Sequence, residues 1–350
     1  LLSARTACGD RLDLRMGAEV RKVEVAANRA RAVHYVSGGR EHRVEADEIV
    51  LCGGAFETPK LLMLSGIGDR THLTEAGIDC VAHLPAVGRN LQDRYEVCVV
   101  NHMKAPWRAM RGARFTTRDR HFRTWRWLRK GMYTSNGVVF AFELKSRPDL
   151  TVPDLFCFAL LADFRGYYPD YSSRILKPDY LTFAVLKAYT DNRAGSVRLR
   201  SADPGEPLDI RFRYFDEGSI DGQDDLDAVV SGVKFCRLVS DAMSEHVSAE
   251  EEPRRSRQSD EALRAYVRNN AWGHHACGSC TIGATPQDSV LDSRFKVHGI
   301  DRLRNVHASV FPRIPGYILV SSVYMIAEKA ADTILADRAA GTPREIQTQS

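Results

Sequence analysis

The stretch from Glu48 to Gly68 constrains the fold more than any other part of the sequence. Ile49-Val50-Leu51-Cys52 is apolar throughout, as in a strand buried on both faces, and it runs into Gly53-Gly54-Ala55, a loop whose backbone can approach another group closely. Thr58 then offers an N-cap oxygen, Pro59 suits a first helical position, and Leu61, Leu62 and Leu64 lead to a stop at Ser65-Gly66. A buried strand, a glycine turn and a capped helix within about twenty residues call for α/β layering. Ordinary α/β packing writes the same pattern, so by itself it speaks to fold class and not to function.

The flanks are strand-rich. Short β-type runs at Leu12 to Arg15, Ala18 to Val25, Ala30 to Val36 and Glu48 to Cys52 are separated by Ala27-Asn28-Arg29 and Ser37-Gly38-Gly39-Arg40, which reads as a small antiparallel meander. Leu155-Phe156-Cys157-Phe158 and Ser196 to Arg200 indicate a second sheet, with a turn at Ala202-Asp203-Pro204-Gly205. Helices are expected from about Leu226 to Ser240 and from Asp260 to Asn269, with Glu250 to Arg257 as an exposed linker between them.

Residues 104–130 carry ten Lys or Arg interleaved with Trp107, Phe115, Phe122, Trp125 and Trp127. Such a mixture can serve nucleic acid. Here Phe122, Trp125, Leu128 and Met132 recur at helical spacing, so a helix burying that stripe and facing its arginines to water is the preferred reading.

The whole-chain balance agrees. With 49 basic and 45 acidic residues the net charge is +4 over 350 residues, too small a surplus to imply nucleic acid or an anionic membrane, and a small-molecule partner is expected. Hydrophobic residues at 44% and charged ones at 27% exclude collagen-like, coiled-coil and wholly disordered classes. Eight scattered cysteines, several in apolar runs, are expected to be free thiols. Neither a signal peptide nor an apolar run of about 18 residues is present, so no integral membrane segment and a cytoplasmic location are expected. The chain opens without Met in what reads as a strand-rich segment, which leads us to expect part of a longer protein.

Reactive side chains concentrate in Trp272-Gly273-His274-His275-Ala276-Cys277-Gly278-Ser279-Cys280. A zinc site would draw on His274, His275, Cys277 and Cys280, but four ligands so close together, with no second pair, is poor structural-zinc spacing. A redox dithiol at Cys277 and Cys280 would need a strand-to-helix setting that the surroundings lack. A histidine acting as general base beside glycines that admit a ligand is the third reading, and two satisfied histidines in a turn the fourth. The residues alone leave these open.

The run Gly54-Ala55-Phe56-Glu57-Thr58-Pro59-Lys60-Leu61-Leu62-Met63-Leu64-Ser65-Gly66-Ile67-Gly68 resembles the second signature of the glucose-methanol-choline (GMC) flavin-dependent oxidoreductases at every defined position. Pro85-Ala86-Val87-Gly88-Arg89-Asn90-Leu91-Gln92-Asp93 is similar to that family's Pro-x-Val-Gly-x-Asn-Leu-x-Asp segment, with Arg94 where the family has His. Gly195 to Pro204 resembles its substrate-domain strand, His275 to Gly283 its active-site motif, and Val306 to Asp332 its closing strand and helix.

The resemblance implies a choline-dehydrogenase-like flavoprotein: a partial FAD/NAD(P)-type Rossmann-like lobe from residues 1–98 and 284–345, and a sheet-containing substrate lobe from residues 99–283, α/β in class and α+β overall. It implies FAD as cofactor, oxidation of an alcohol or sugar CH-OH, an unidentified electron acceptor, and no metal. His275 matches the family base that takes the alcohol proton while hydride passes to flavin N5. Val20, Gly53, Gly54, Ala55, Asn90, His307, Ala308 and Ile318 match cofactor-side positions, with His274, Tyr317 and Ser322 as supporting groups.

Three departures stand out. Ile318 occupies the place of a second catalytic His or Asn, His307 replaces a frequent Asp, and no Gly-x-Gly-x-x-Gly turn occurs in the chain. An isolated polypeptide without that turn is expected to bind FAD weakly and to be inactive, which leaves a flavin-free binding or scaffold domain as the alternative.

Overall fold

The computed structural model describes residues 2–341 except Phe115, Asn136, Leu176 and residues 216–221. Phe115, one of the aromatics of the basic stretch, therefore lies outside the described residues. The chain opens with helix α1 (Leu2–Cys8), and Leu12 to Arg15 is irregular and unpaired, contrary to the strand expected there. Alternating leucines do not make a strand without a neighbour to bond.

The meander is β1 (Ala18–Ala26), β2 (Arg29–Ser37) and β3 (Arg40–Glu45), antiparallel in that order, with Ala18 opposite Ser37 and Ala32 opposite Glu45. Ala27 and Asn28 both have positive φ, as do Gly38 and Gly39, so each hairpin turns in the sense that matches strand twist. β3 is exposed along its whole length, and its charged residues leave no apolar alternation to read. β4 (Ile49–Leu51) does not join the meander. It pairs in parallel with β15 (Leu303–Asn305), Ile49 opposite Leu303, so its partner arrives from the far end of the chain.

α2 (Gly54–Leu64) begins at the glycines, earlier than Thr58 indicated, with Gly53 at its N-cap and Pro59 inside it. Pro59 has no N–H to give to the carbonyl of Ala55 four residues before. That carbonyl instead accepts the Ser279 hydroxyl at 2.6 Å, which ties the helix start to the Cys277–Cys280 segment. Ser65 closes the helix by donating to Leu61 O at 2.6 Å while accepting Val23 N–H at 2.9 Å, locking α2 onto β1.

β5 (Ile67–Gly68), α3 (Arg70–Glu75), β6 (Ala82–His83) and β7 (Arg89–Leu91) lead to β8 (Glu96–Met103). α4 (Arg120–Leu128), β9 (Val138–Leu144), β10 (Leu155–Leu160), α5 (Tyr171–Arg174) and β11 (Tyr180–Lys187) follow. Then come β12 (Gly195–Arg198), β13 (Asp209–Arg211), α6 (Gly222–Ala242), β14 (Val247–Glu252), α7 (Asp260–Asn270) and, after β15, α8 (Leu319–Gly341).

The large sheet is antiparallel in the order β14-β8-β11-β10-β9, with α6 against it, and β13-β12-β7 form a separate three-stranded sheet. Two main apolar cores result. One gathers Val23, Leu51, Leu62, Met63, Phe295 and Leu303, and the other Val97, Leu155, Phe183, Leu226, Val233 and Leu263.

Two expectations are corrected here. Glu250 to Arg257 is not an exposed linker: its first residues form β14, and the buried Glu250 carboxylate accepts Arg237 of α6 at 2.6 Å. Three consecutive glutamates hide a strand when tertiary cations meet them, here Arg237 at Glu250 and Arg165 at Glu251 and Glu252. In α4 the expected stripe is only half-buried. Phe122 and Trp125 are partly buried, but Leu128 is 65% exposed, Met132 falls in a separate turn, and the buried residue is His121, bonded to Arg111 O at 3.0 Å.

Candidate functional site

The site forms where the start of β8, residues 271–280 and residues 305–318 meet. Two backbone bridges suspend the histidine pair there. Trp272 exchanges N–H and C=O with Glu96 at 2.8 and 3.0 Å, and Cys277 does so with Gln92 at 3.0 and 2.9 Å. Gly273 fits between them because a Cβ there would lie 2.6 Å from both Arg94 O and Asp93 Cγ. One Asp93 oxygen then accepts the N–H groups of Arg94 (2.7 Å) and His275 (2.8 Å), which sets the His275 backbone.

Beyond the second bridge, Gly278 adopts φ +85°, and a Cβ would meet Asn90 O at 2.5 Å. Its N–H donates to Ala308 O at 3.2 Å, and Cys280 N–H to Ser309 O at 2.8 Å. Together with the Ser279 bond to Ala55, these contacts join the histidine loop to both the α2 N-terminus and the closing segment.

His275 is 8% exposed, and its ring centroid is 4.1 Å from that of His274, which is exposed. The Nδ1 atoms of His274 and His275 lie 3.4 and 3.5 Å from the same Glu96 oxygen. Glu96 is buried, and among the described residues neither of its oxygens has a hydrogen-bond partner; His275 Nδ1 is likewise buried without one. Burial pushes the Glu96 carboxyl up to about 7, against the pull of His274 and Arg94, and the Asp93 carboxyl up to about 6. Burial, aided by the Arg94 charge, drives the His275 imidazole down to about 4, so the ring is neutral across the physiological range.

Arg94 is fully buried. Its two terminal nitrogens donate to the carbonyls of Ala188 and Pro315, and desolvation brings its guanidinium down to about 10. On the open side Tyr167 meets His274 edge-on at 5.1 Å, and Trp272 stacks on His274 at 5.4 Å, forming an aromatic wall.

The expected cofactor-side residues fall in two places. Val20 and Gly53 line a cleft of about 420 Å³ shared with Val33, Val50, Thr58 and Lys60. Gly54, Ala55, Asn90, His307 and Ala308 gather around the Gly278 loop: the Cβ position of Gly54 is 3.3 Å from the His307 ring, and Asn90 donates to Gly278 O and Pro312 O. Burial lowers the His307 pKa, and its Nδ1 has no partner. Ile318, 42% exposed, stands just before α8.

Tyr317 donates to Pro153 O at 3.2 Å, which commits its hydroxyl, and Ser322 is half-buried on α8. The side chain that sequence reasoning missed is Glu96. Its signal was an acid at the head of an otherwise apolar strand, Glu96-Val97-Cys98-Val99-Val100.

The zinc set weighed from the sequence is not assembled. Cys277 packs with Ala308, Ile314 and Leu319, Cys280 enters the core beside Leu291, and the donors that converge within 4.8 Å are those of Glu96, His274 and His275. All eight cysteines are free, and among the described residues no helix is long and apolar enough to cross a membrane.

Comparison with known proteins gives a consistent picture. Residues 4–96 match the N-terminal and residues 191–327 the C-terminal model of the GMC oxidoreductases. An oxygen-dependent choline dehydrogenase of Staphylococcus saprophyticus is 34% identical over 92% of this chain and 57% of its own length. A GMC-type oxidoreductase of Mycobacterium tuberculosis, uncharacterised, is 35% identical over 91% of this chain and 58% of its own. The formate oxidase of Aspergillus oryzae superposes with a TM-score of 0.79 at 25% identity, covering 92% of this chain and 60% of that one. The chain thus spans a little over half the length of the curated relatives it matches.

Proposed function

Since the chain belongs to the GMC oxidoreductase family, we propose that it carries the proton-transfer site of an FAD-dependent oxidation of an alcohol CH-OH group, with His275 as the base. The observation that carries this reading is the setting of His275. It is held between Asp93 and Glu96 on a loop whose next residues bond the α2 N-terminus and the closing segment.

The residues present suit a flavin dinucleotide. The Thr58 hydroxyl and His307 Nδ1 are buried polar atoms without partners near the α2 N-terminus, where the helix dipole favours a negatively charged or acceptor-bearing group. Gly53, Gly54, Ala55, Ala308 and the cleft at Val20 would hold the cofactor, and Asn90 would brace the loop from behind. FAD, when bound there, supplies the hydride acceptor that side chains lack.

The chain's own residues do the rest. His275, kept neutral by burial, takes the hydroxyl proton and so raises electron density on the oxygen of the carbon to be oxidised. Asp93 holds the His275 backbone, and the wall of Tyr167, Trp272 and His274 receives the carbon skeleton of a primary alcohol or sugar.

The test is a visible spectrum of the full translated product of the gene, loaded with FAD, before and after anaerobic addition of a panel of alcohols that includes choline and sugars. Flavin bands should bleach with one class, and His275→Ala should slow bleaching by about 100-fold or more while leaving the bands in place. Protein that takes up no flavin would reject the reading in favour of a flavin-free binding domain, the second reading, to which the apolar Ile318 lends support.

A further inference from the structure

We infer that Glu96 is the positioning residue of His275: its carboxylate accepts the Nδ1 hydrogen, so that Nε2 carries the lone pair that takes a proton. The inference rests on the alcohol-oxidation reading for its chemistry, although its geometry stands without it.

The geometry is a buried ring nitrogen beside a buried carboxylate, neither of which has a hydrogen-bond partner among the described residues. Glu96 has two buried oxygens and no hydrogen-bond partner, and the nearest donors are the Nδ1 atoms of His274 and His275, at 3.4 and 3.5 Å from one oxygen. His275 Nδ1 has no hydrogen-bond partner among the described residues, and Asp93 Oδ1 already accepts two backbone N–H groups. Both ends are set by main chain: Glu96 by its two bonds to Trp272 and its place opposite Leu186, His275 by Asp93. The opposite tautomer would aim an Nδ1 lone pair at the carboxylate, which is repulsive. A protonated Glu96 would instead donate to Nδ1 and leave the hydrogen on Nε2, where no lone pair would remain.

The charged and titratable groups around the carboxyl are Asp93 and Arg94 from the turn before β8, Cys98 within β8, His274 and His275 from the facing loop, Tyr167 from the aromatic wall, and Tyr214. His274 and then Arg94, the latter fixed by the carbonyls of Ala188 and Pro315, favour the ionised form. In the productive step one proton moves, from substrate oxygen to Nε2. The Nδ1 hydrogen stays in place, and Glu96 stabilises the imidazolium without itself being protonated.

Nitrogen NMR of histidine-labelled protein, with His275 assigned by His275→Asn, reads the tautomer directly and needs no turnover. Above about pH 8 wild-type His275 should carry its hydrogen on Nδ1. Glu96→Leu should shift it to Nε2. Glu96→Gln, which keeps an acceptor but cannot ionise, should keep Nδ1–H and lose the change near neutral pH; should the leucine variant not fold, judged by near-UV circular dichroism, this variant decides alone.

In the FAD-loaded enzyme kcat should fall about 100-fold in Glu96→Leu at nearly constant KM. An unchanged tautomer in Glu96→Leu together with a raised KM would assign Glu96 to substrate binding and overturn the inference. Stoichiometric zinc uptake, lost in Glu96→Gln, would overturn it by making the three donors a metal site. A tautomer that follows Glu96 in a protein that oxidises no alcohol would sustain this inference and refute the functional reading.

Discussion

Replacing Glu96 by Gln should make folding stability less sensitive to pH, and the size of the effect follows from burial. The Glu96 pKa rises from the 4.5 of a free glutamate to about 7, chiefly because burial removes water from the carboxylate, with His274 and Arg94 pulling the other way. A carboxyl with a raised folded-state pKa gives its full stability below the unfolded value and loses it as pH climbs through the folded one. At about 1.36 kcal/mol per pKa unit, ionising Glu96 costs the folded state roughly 3 kcal/mol. Gln cannot ionise, so the stability of Glu96→Gln relative to wild type should improve by roughly 3 kcal/mol between about pH 4 and pH 8. Asp93 and His275 titrate in both proteins, so the difference between the two curves isolates Glu96 to first order. Urea unfolding at the two pH values, followed by the fluorescence of Trp272 beside the site, measures it. A gap that is the same at both would show that Glu96 is hydrated or fully compensated, and the reasoning from its burial would fail.

Two other outcomes test how the site is supported. Glu250→Ala should destabilise by about 3 to 5 kcal/mol in urea, because it leaves the Arg237 guanidinium buried without its carboxylate; a loss under about 1 kcal/mol would restore the exposed-linker reading. Ser279→Ala should cost about 1 to 3 kcal/mol, since Pro59 cannot supply the N–H that the Ala55 carbonyl then lacks. Adding Pro59→Ala should recover part of that loss, and strict additivity of the two changes would refute the coupling.

Much of this was legible along the chain. Ile49 to Cys52 running into two glycines and a leucine-rich helix was readable because a buried strand, a φ-permissive turn and a helix each leave a local mark. His275 was readable from its motif, and Ala27-Asn28 and Gly38-Gly39 from turn chemistry. The misses share one cause. β14 hides in Glu250 to Glu252, β3 in charged residues, and the unpaired stretch at Leu12 imitates a strand, because whether an extended run pairs depends on residues far away in sequence.

The sequence by itself determined the α/β class, the glycine turn before α2 and the segment bearing His275, the histidine we propose as the base, since these rest on backbone freedom, apolar periodicity and a recognisable motif. Only the tertiary structure decided that β4 takes its partner from β15, that Ser279 occupies the carbonyl Pro59 leaves free, and that Glu96 comes within 3.5 Å of His275. Those are pairings across most of the chain. What a buried carbonyl, strand edge or carboxylate meets is set by how distant segments pack together, and local propensity holds no record of it.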